Sequence, residues 1–151
     1  MFTKQRFDNW DLKQSTLTGI ESLGWEQTTT VQRDTIPLAL AGHDVIGQAR
    51  TGSGKTGAFG VPIIEACQPT GKLQALILAP TRELANQVSV EMNNIQGDSG
   101  LKIATVYGGT DLEKQARQLG EGVDIIVGTP GRVMDMTKRN FIDLSSPTIF
   151  C

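Results

Sequence analysis

Cysteine and histidine are scarce in this sequence: its 151 residues include two cysteines and one histidine. So few potential ligands exclude a zinc site built from cysteine and histidine, and two isolated cysteines exclude a disulfide framework. Because unpaired thiols are typical of proteins in reducing compartments, we expect a cytoplasmic location.

The sequence also lacks long apolar runs and a dominant charge. No stretch approaches the roughly 18 consecutive apolar residues that cross a bilayer, so we expect no contact with a membrane. The opening residues, MFTKQR, lack the apolar core of a secretory signal. The net charge of −2 excludes a general basic surface, so any nucleic acid would have to bind to a local patch. No feature of the sequence identifies a protein partner.

Short apolar segments alternate with helical segments over most of the chain. The predicted strands are residues 45–49, 75–79, 101–107, 124–128 and 148–151, and the predicted helices are residues 55–67, 82–94, 111–120 and 132–138. Strands separated by helices are typical of a parallel sheet flanked by helices, so the predicted fold class is α/β. The first third is predicted to be helical, with capping pairs formed by Asp11 with Gln14 and by Thr29 with Gln32.

A glycine-rich loop falls between the first predicted strand and the helix that follows it. Its residues are Ala49, Arg50, Thr51, Gly52, Ser53, Gly54, Lys55 and Thr56. In this setting glycines let backbone N–H groups form a concavity for anions, and the helix N-terminus adds partial positive charge. Lys55 can then reach the outer phosphates of a nucleotide, and the Thr56 hydroxyl can ligate Mg²⁺. The pattern predicts nucleotide binding, against the alternative of an ordinary flexible loop.

Three further distinctive loops follow predicted strands. They contain Pro80, Thr81, Arg82 and Glu83; Gly108, Gly109 and Thr110; and Thr129, Pro130, Gly131 and Arg132. Parallel strands place the loops at their carboxyl ends along one edge of the sheet, where ligands bind in folds of this class. We therefore expect these loops and the glycine-rich loop to share that edge.

Arg82 and Arg132 each stand at the start of a predicted helix. A cation there opposes the helix dipole by about 0.3–1 kcal/mol. The placement therefore favours an anionic partner that binds to the arginines and to the helix N–H groups together. The alternative is that both are solvated surface residues. Gly108 and Gly109 are equally consistent with a simple turn and with the close approach of a polymer backbone.

Gln32 has two competing interpretations. As the third residue after Thr29, it can cap the helix by reaching back to the backbone. Its amide could instead read the edge of adenine, as amide side chains do in nucleic-acid recognition. The local sequence favours capping.

Taken together, these segments resemble the first RecA-like domain of the DEAD-box ATP-dependent RNA helicases, over nearly the whole chain. The family's Q motif is matched by Phe7 and residues 24–32, although Thr28 and Val31 replace its usual proline and isoleucine. Its ATP-binding loop, in which alanine is usual at the first position, is matched by residues 49–56. Its RNA-backbone motifs are matched by residues 80–85 with Gln87, by residues 108–109 and by residues 129–132.

The resemblance implies ATP and Mg²⁺ as cofactors and RNA as the partner. It implies that Phe7 stacks on adenine and that Gln32 reads the edge of the base. Lys55 and Thr56 are the residues expected to act in catalysis. RNA is expected to be held through its backbone, independently of its sequence, by the matched motifs and above all by Arg82, Gly109, Thr129 and Arg132.

The resemblance also divides the chain into a helical Q-motif segment, residues 1–42, and an incomplete RecA-like ATP-binding domain, residues 43–151. The Asp-Glu-Ala-Asp segment that would follow the last predicted strand is not in the sequence, nor is the second RecA-like domain with its arginine fingers. Phosphoryl transfer needs an acidic ligand for Mg²⁺ and an arginine for the developing charge. We therefore expect the 151-residue chain alone to be inactive or nearly so.

Two other functions are open at this point. A small-molecule kinase would also use a glycine-rich loop, but the sequence has neither a substrate lid nor a partner acid, and the loops of Arg82 and Arg132 would have no role. The second is a non-catalytic module that binds nucleotide or RNA, which is the more serious alternative for the chain as it stands.

Overall fold

Six strands and six α-helices follow one another in the computed structural model, which describes all 151 residues. The strands are β1 (Phe2–Arg6), β2 (Gln27–Thr29), β3 (Ala75–Leu78), β4 (Ile103–Val106), β5 (Ile125–Gly128) and β6 (Ile149–Phe150). The helices are α1 (Gln14–Ser22), α2 (Thr30–Leu40), α3 (Lys55–Ala66), α4 (Arg82–Gln96), α5 (Leu112–Gly120) and α6 (Pro130–Lys138). None of the helices combines the length and the apolar composition that crossing a bilayer requires.

The chain forms two compact units. The first unit contains Met1–Ala66 and Glu91–Ser99, and the second contains Cys67–Val90 and Gly100–Cys151. Helix α4 therefore contributes residues to both units. The boundary between residues 42 and 43 that the sequence suggests stays a prediction.

In the first unit, β1 and β2 form a two-stranded antiparallel sheet, with Phe2 opposite Thr29 and Arg6 opposite Gln27. The sequence predicts helices throughout this region, so both strands are a correction. The residues of β1 after Phe2 are polar, and none of the strand's side chains is buried. The strand therefore lacks the alternation of apolar residues by which strands are recognised in a sequence.

Helix α2 begins with the predicted capping box. The Thr29 hydroxyl accepts a hydrogen bond from the N–H of Gln32, and the Gln32 side chain accepts one from the N–H of Thr29. The two bonds satisfy backbone donors that the start of a helix otherwise leaves free. This pair therefore sets the first residue of the helix, as the sequence predicts.

The predicted capping pair Asp11 and Gln14 is wrong. Helix α1 begins at Gln14, and Lys13, the residue before it, makes no capping hydrogen bond through its side chain. The N–H of Lys13 instead donates to a carboxylate oxygen of Glu65 in α3, over 3.0 Å. A side chain that is distant in sequence thus anchors the start of this helix, which no local pattern reveals.

The second unit is built on a four-stranded parallel sheet with the strand order β4-β5-β3-β6. Ala75 of β3 lies opposite Ile125 of β5 and Ile149 of β6. The predicted strands at residues 75–79, 101–107, 124–128 and 148–151 are confirmed, although the last is only two residues long. The four predicted helices after residue 54 are also confirmed, as α3, α4, α5 and α6.

Alternate residues of the strands face opposite sides of this sheet. On one side, a buried cluster joins strand residues, among them Leu76 and Ile126, to Val133 and Met136 of α6, and α5 packs against the same cluster. On the other side, the hydroxyls of Ser89 in α4 and Thr105 in β4 form a hydrogen bond of 2.6 Å. Helices thus cover both faces, as the α/β prediction requires.

Asp124 joins three segments of the second unit. Its carboxylate accepts hydrogen bonds from the backbone N–H groups of Thr70, Gly71 and Lys102, over 2.8 to 3.0 Å. It also accepts one from the side-chain amide of Gln74, over 3.1 Å. The residue is only 1% exposed, and a carboxylate tolerates such burial when hydrogen bonds saturate its oxygens. It therefore connects the turn before β3 with the beginnings of β4 and β5.

The predicted strand at residues 45–49 does not form. Val45 is exposed, the side chain of Ile46 is 99% exposed, and no strand pairs with the segment. An extended segment with neither ladder partners nor buried side chains gains too little to be stable as a strand. The strand that was expected to bring the glycine-rich loop to the carboxyl edge of the sheet is therefore absent.

Candidate functional site

The glycine-rich loop lies in the first unit and leads directly into α3, which begins at Lys55. Gly52 and Gly54 have φ angles of +78° and +88°, in the left-handed region that favours glycine. The N–H of Ser53 donates to the carbonyl of Arg50 over 3.2 Å and closes the turn. Turns with such dihedrals present N–H groups to anions, and the N-terminus of α3 adds partial positive charge. The loop thus has a conformation suited to phosphate.

Two positions in and after this loop have no room for a side chain. A Cβ atom at Gly54 would lie 2.5 Å from the amide nitrogen of Gln32. A Cβ atom at Gly57, in the first turn of α3, would lie 2.7 Å from the same nitrogen and 2.8 Å from the ring of Trp25. The absence of these side chains lets the start of α2 pack against the loop.

Gln32 occupies the space that these glycines leave. Its side-chain oxygen completes the capping box, and its side-chain nitrogen donates to the carbonyl oxygen of Gly54 over 3.1 Å. The side chain is 3% exposed. Capping, which the local sequence favours, is confirmed, and the bond to Gly54 adds a role that sequence reasoning missed. The reading of adenine by Gln32 stays a prediction; in this structure the amide oxygen bonds to Thr29 and the amide nitrogen bonds to Gly54.

Phe7 lies inside an aromatic cluster. Its ring is stacked on Trp25 with centroids 6.0 Å apart and meets Trp10 edge-on at 5.9 Å. The residue is 2% exposed, so in this structure neither face of the ring is open to a ligand. The stacking of Phe7 on adenine stays a prediction, and it would require the cluster to rearrange.

Lys55 and Thr56 form the first turn of α3. Lys55 is exposed and forms no ion pair, so its ammonium group is available to an anion. Thr56 is half-buried and donates a hydrogen bond to Glu91; burial raises the pKa of the Glu91 carboxyl, and this bond opposes the rise. Mg²⁺ prefers oxygen ligands and often completes its shell with phosphate oxygens and water. The hydroxyl and the neighbouring carboxylate therefore fit this ion.

An open groove of about 560 Å³ lies beside the loop in the first unit. One wall is the start of α2, with Val31, Asp34 and Thr35, and the other is the segment from Ile46 through Arg50 together with Ser53. Its volume lies within the range of small-molecule sites. Three of the residues predicted to bind the nucleotide, Ala49, Arg50 and Ser53, line this groove.

The three other predicted loops follow β3, β4 and β5 in the second unit. Because these strands are parallel neighbours, their loops lie at one edge of the sheet. The structure thus brings together the predicted residues of this edge: Pro80, Thr81 and Arg82; Gly108 and Gly109; and Thr129, Pro130, Gly131 and Arg132. The prediction of a shared edge is confirmed for these loops.

Arg82 begins α4 and extends over the loop after β4. Its guanidinium carbon lies 4.8 Å from the centre of the Tyr107 ring, a cation–π contact. Gly109, with a φ angle of +81°, lies beside it: a Cβ atom there would be 3.7 Å from a guanidinium nitrogen. The turn at Gly109 thus allows the loop to come close to Arg82.

Arg132 contacts the same loop from α6. Its guanidinium donates to the carbonyl oxygen of Thr110 over 3.3 and 3.4 Å and to the side-chain oxygen of Gln115 over 3.2 Å. Gln115 is 8% exposed and was not predicted as a site residue. It lies on the stripe of Leu112 and Leu119 in α5, and a polar residue on an apolar stripe is a signal that could have revealed it.

Neither Arg82 nor Arg132 has a carboxylate partner. The ion pairs of the structure join Arg6 with Asp8 and Glu26, Arg33 with Asp34, and Arg139 with Asp135. At Gly108 and Gly131, an added Cβ would meet nothing within 4 Å, so the surface around the two arginines is open. The edge therefore presents two guanidinium groups that have no carboxylate partner.

Known proteins resemble this chain closely in sequence. A family model described as DEAD/DEAH box helicase matches residues 29–150. The DEAD-box ATP-dependent RNA helicase CshA of Bacillus subtilis is 45% identical over 93% of this chain, and the ATP-dependent RNA helicase CshA of Listeria monocytogenes is 44% identical over 92%. The chain spans 28% and 27% of the length of these two relatives.

Solved structures agree with the sequence matches. A DEAD box protein from the hyperthermophile Methanococcus jannaschii superposes with a TM-score of 0.91 at 40% identity, over 96% of this chain and 40% of its own. A hypothetical ATP-dependent RNA helicase from Sulfolobus tokodaii gives a TM-score of 0.83 at 39% identity, over 92% of this chain and 40% of its own. With the glycine-rich loop and the three sheet-edge loops, these matches show that the chain has a RecA-like α/β fold and belongs to the DEAD/DEAH box helicase family.

Proposed function

We propose that this chain is the ATP-binding and RNA-backbone-binding half of an ATP-dependent RNA helicase. The Bacillus and Listeria relatives are named ATP-dependent RNA helicases, and the whole protein would accordingly hydrolyse ATP to remodel or unwind RNA. The observation that carries the proposal is that one chain has both a phosphate-binding loop at a helix N-terminus and two unpaired arginines at the carboxyl edge of a parallel sheet.

The proposed ATP site uses the glycine-rich loop. Its N–H groups and the N-terminus of α3 would hold the phosphates, and Lys55 would contact the outer ones. Mg²⁺, when bound, would neutralise charge on the phosphate oxygens, and Thr56 is the residue that would hold it. Phe7 and Gln32 would recognise adenine.

The proposed RNA site is the sheet edge of the second unit. Arg82 and Arg132 would donate to phosphate oxygens of the RNA. Gly109 would leave room for the RNA backbone, and Thr129 would contact it. Contacts of this kind position a nucleic acid without reading its bases. We therefore propose that RNA binding is independent of sequence and depends on salt, because each neutralised phosphate releases counterions.

A second function, that of a non-catalytic binding module, is favoured by one observation. Among the matched residues, Lys55 and Thr56 are the ones with a part in phosphoryl transfer. An arginine finger alone contributes about 10³–10⁵ in rate. We therefore propose that the 151-residue chain by itself turns over ATP slowly or not at all.

The test is to measure ATP binding, RNA binding and ATP turnover with the same preparation, with and without single-stranded polyuridylate. Binding of both ligands with little turnover is the expected result for the chain. Stimulation of turnover by RNA would show that the chain is itself a complete ATPase. Turnover stimulated by a small-molecule acceptor but not by RNA would contradict the helicase proposal and favour a kinase.

A further inference from the structure

We propose that Gln115 is a positioning residue that holds the guanidinium of Arg132 in the orientation in which it binds RNA. The inference rests on the proposed RNA-binding function. Gln115 itself is buried and would not contact RNA. It would act on RNA affinity only through Arg132 and through the loop after β4.

The contacts of Gln115 use both ends of its amide. The side-chain oxygen accepts from the guanidinium of Arg132 over 3.2 Å. The side-chain nitrogen donates to the carbonyl oxygen of Tyr107 over 3.2 Å and, by a short hydrogen bond, to the hydroxyl of Thr110. The Thr110 hydroxyl also donates to the Tyr107 carbonyl over 3.0 Å. A buried polar group whose partners are all fixed has one orientation, so the oxygen that faces Arg132 is fixed as well.

Glutamine is the residue type that this position requires. The loop presents a carbonyl oxygen, which needs a donor, and Arg132 presents only donors, which need an acceptor. A carboxylate would satisfy Arg132 but not the Tyr107 carbonyl, and an ammonium would do the reverse. The amide of Gln115 supplies both groups from one side chain.

The same loop also carries the contact surface of Arg82. Tyr107, whose carbonyl accepts from Gln115, places its ring under the Arg82 guanidinium at 4.8 Å. The backbone of Thr110 accepts from Arg132. Gln115 therefore fixes the one loop, residues 107–110, against which both arginines are oriented. Loss of its contacts should disorder Arg132 first and Arg82 to a smaller degree.

The experiment compares Gln115→Met with the matched control Gln118→Met, a substitution at an exposed position of the same helix. Affinity for fluorescent single-stranded polyuridylate is measured over a range of salt concentrations, and thermal melting monitors the fold. Gln115→Met should weaken binding about three- to tenfold, which corresponds to the net free energy of one hydrogen bond. The slope of log affinity against log salt should stay unchanged, because the charge of Arg132 remains. Gln118→Met should change neither quantity.

A double-mutant cycle then decides whether Gln115 acts through Arg132. In an Arg132→Ala background, Gln115→Met should cause little further loss of RNA affinity; full additivity would overturn the proposal.

If Gln115→Met melts at a much lower temperature, Gln115→Glu replaces it. Its carboxylate would pair with Arg132 and shrink the salt slope by about 0.7, and an unchanged affinity and slope would overturn the proposal. If Arg82→Ala and Arg132→Ala both leave RNA binding intact, the proposed RNA function itself fails, whatever Gln115 does.

Discussion

The side-chain amide nitrogen of Gln32 donates a hydrogen bond to the carbonyl oxygen of Gly54, so that the residue that caps α2 also holds the glycine-rich loop. Gln32→Glu separates the two roles, because a glutamate at this position still completes a capping box but cannot donate to Gly54. Because the side chain is buried, the second carboxylate oxygen would face the Gly54 carbonyl without a donor, so we expect Gln32→Glu both to lower the free energy of unfolding and to weaken nucleotide binding. Chemical denaturation and titration with a fluorescent ATP analogue measure the two effects.

Gln32→Ala is the companion variant. It also removes the half of the capping box that the Gln32 side chain makes, although the N–H of residue 32 can still donate to the Thr29 hydroxyl, so the free energy of unfolding should fall by about 0.5–1.5 kcal/mol for each hydrogen bond lost. ATP and GTP should both bind more weakly, because the loop loses its tether. A further loss confined to ATP would report adenine recognition by Gln32. Equal losses for the two nucleotides would mean that Gln32 acts only through α2 and the loop.

Lys55→Ala should weaken ATP binding through the phosphates. A charge-assisted hydrogen bond contributes about 1.5–3 kcal/mol, and the exposed ammonium group of Lys55 has no other partner that would be left unpaired. The melting temperature should therefore hardly change. Lys72→Ala, at an exposed position of the second unit, is the matched control and should leave ATP affinity as it is. Unchanged affinity in Lys55→Ala would refute the assignment of the phosphate loop.

Arg82→Ala and Arg132→Ala should each weaken binding of single-stranded RNA about equally for all sequences. Each should also shrink the slope of log affinity against log salt by about 0.7, which corresponds to one phosphate contact on a single strand. ATP binding in the absence of RNA should survive. Arg139→Ala serves as the control, because Arg139 pairs with Asp135 at the far end of α6. A double variant of Arg82 and Arg132 with the affinity and slope of the unmodified protein would identify both as solvated surface charges.

Asp124→Ala should strongly destabilise the second unit. It leaves the N–H groups of Thr70, Gly71 and Lys102 without their acceptor, and we expect a loss of about 2–4 kcal/mol in the free energy of unfolding. Asp124→Asn retains one acceptor oxygen and should lose less. Asp98→Ala, at an exposed position, should stay within about 0.5 kcal/mol of the unmodified protein. Urea denaturation gives all three values, and a stable Asp124→Ala would mean that water replaces the carboxylate.

Gly128→Ala should destabilise the junction between the sheet and α6. A Cβ atom at Gly128 would lie 2.6 Å from side-chain carbons of both Val106 and Val133. Such overpacking typically costs about 1–3 kcal/mol. Gly131→Ala, at the second residue of α6, is the matched control, since its Cβ would meet open space. The melting temperature should fall in Gly128→Ala and stay nearly unchanged in Gly131→Ala, and an equal fall in both would contradict the packing argument.

The sequence predicted the parts of the fold whose signals are local. The apolar runs become β3 and β5, which are largely buried, and β4, in which alternate residues are buried, and the segments between them form the predicted helices. Two segments contradict local reasoning. The polar β1 forms because β2 pairs with it. Residues 45–49 stay irregular because no strand pairs with them. The sequence of one segment does not indicate whether a distant segment will pair with it.

The candidate site shows the same division. The glycine-rich loop and the three sheet-edge loops were found from their residue types and their places after predicted strands. The bond from Gln32 to Gly54, the position of Gln115 under Arg132 and the contact of Thr56 with Glu91 were not. Each joins residues that are 17 to 35 positions apart, and a side chain's partner at that distance depends on the packing of whole elements.

The strand order of the second unit has a consequence for the chain as it is synthesised. Because β5 lies between β3 and β4 in the sheet, the two earlier strands are never hydrogen-bonded to each other. When β3 and β4 have left the ribosome, neither yet has a neighbour, and the first ladder of this sheet can form only when β5 has emerged. Until then the apolar side chains and unpaired edges of β3 and β4 are exposed, and such a state is prone to aggregation. The interval of translation that ends with β5 is therefore the one in which the sheet of the second unit is most exposed to aggregation.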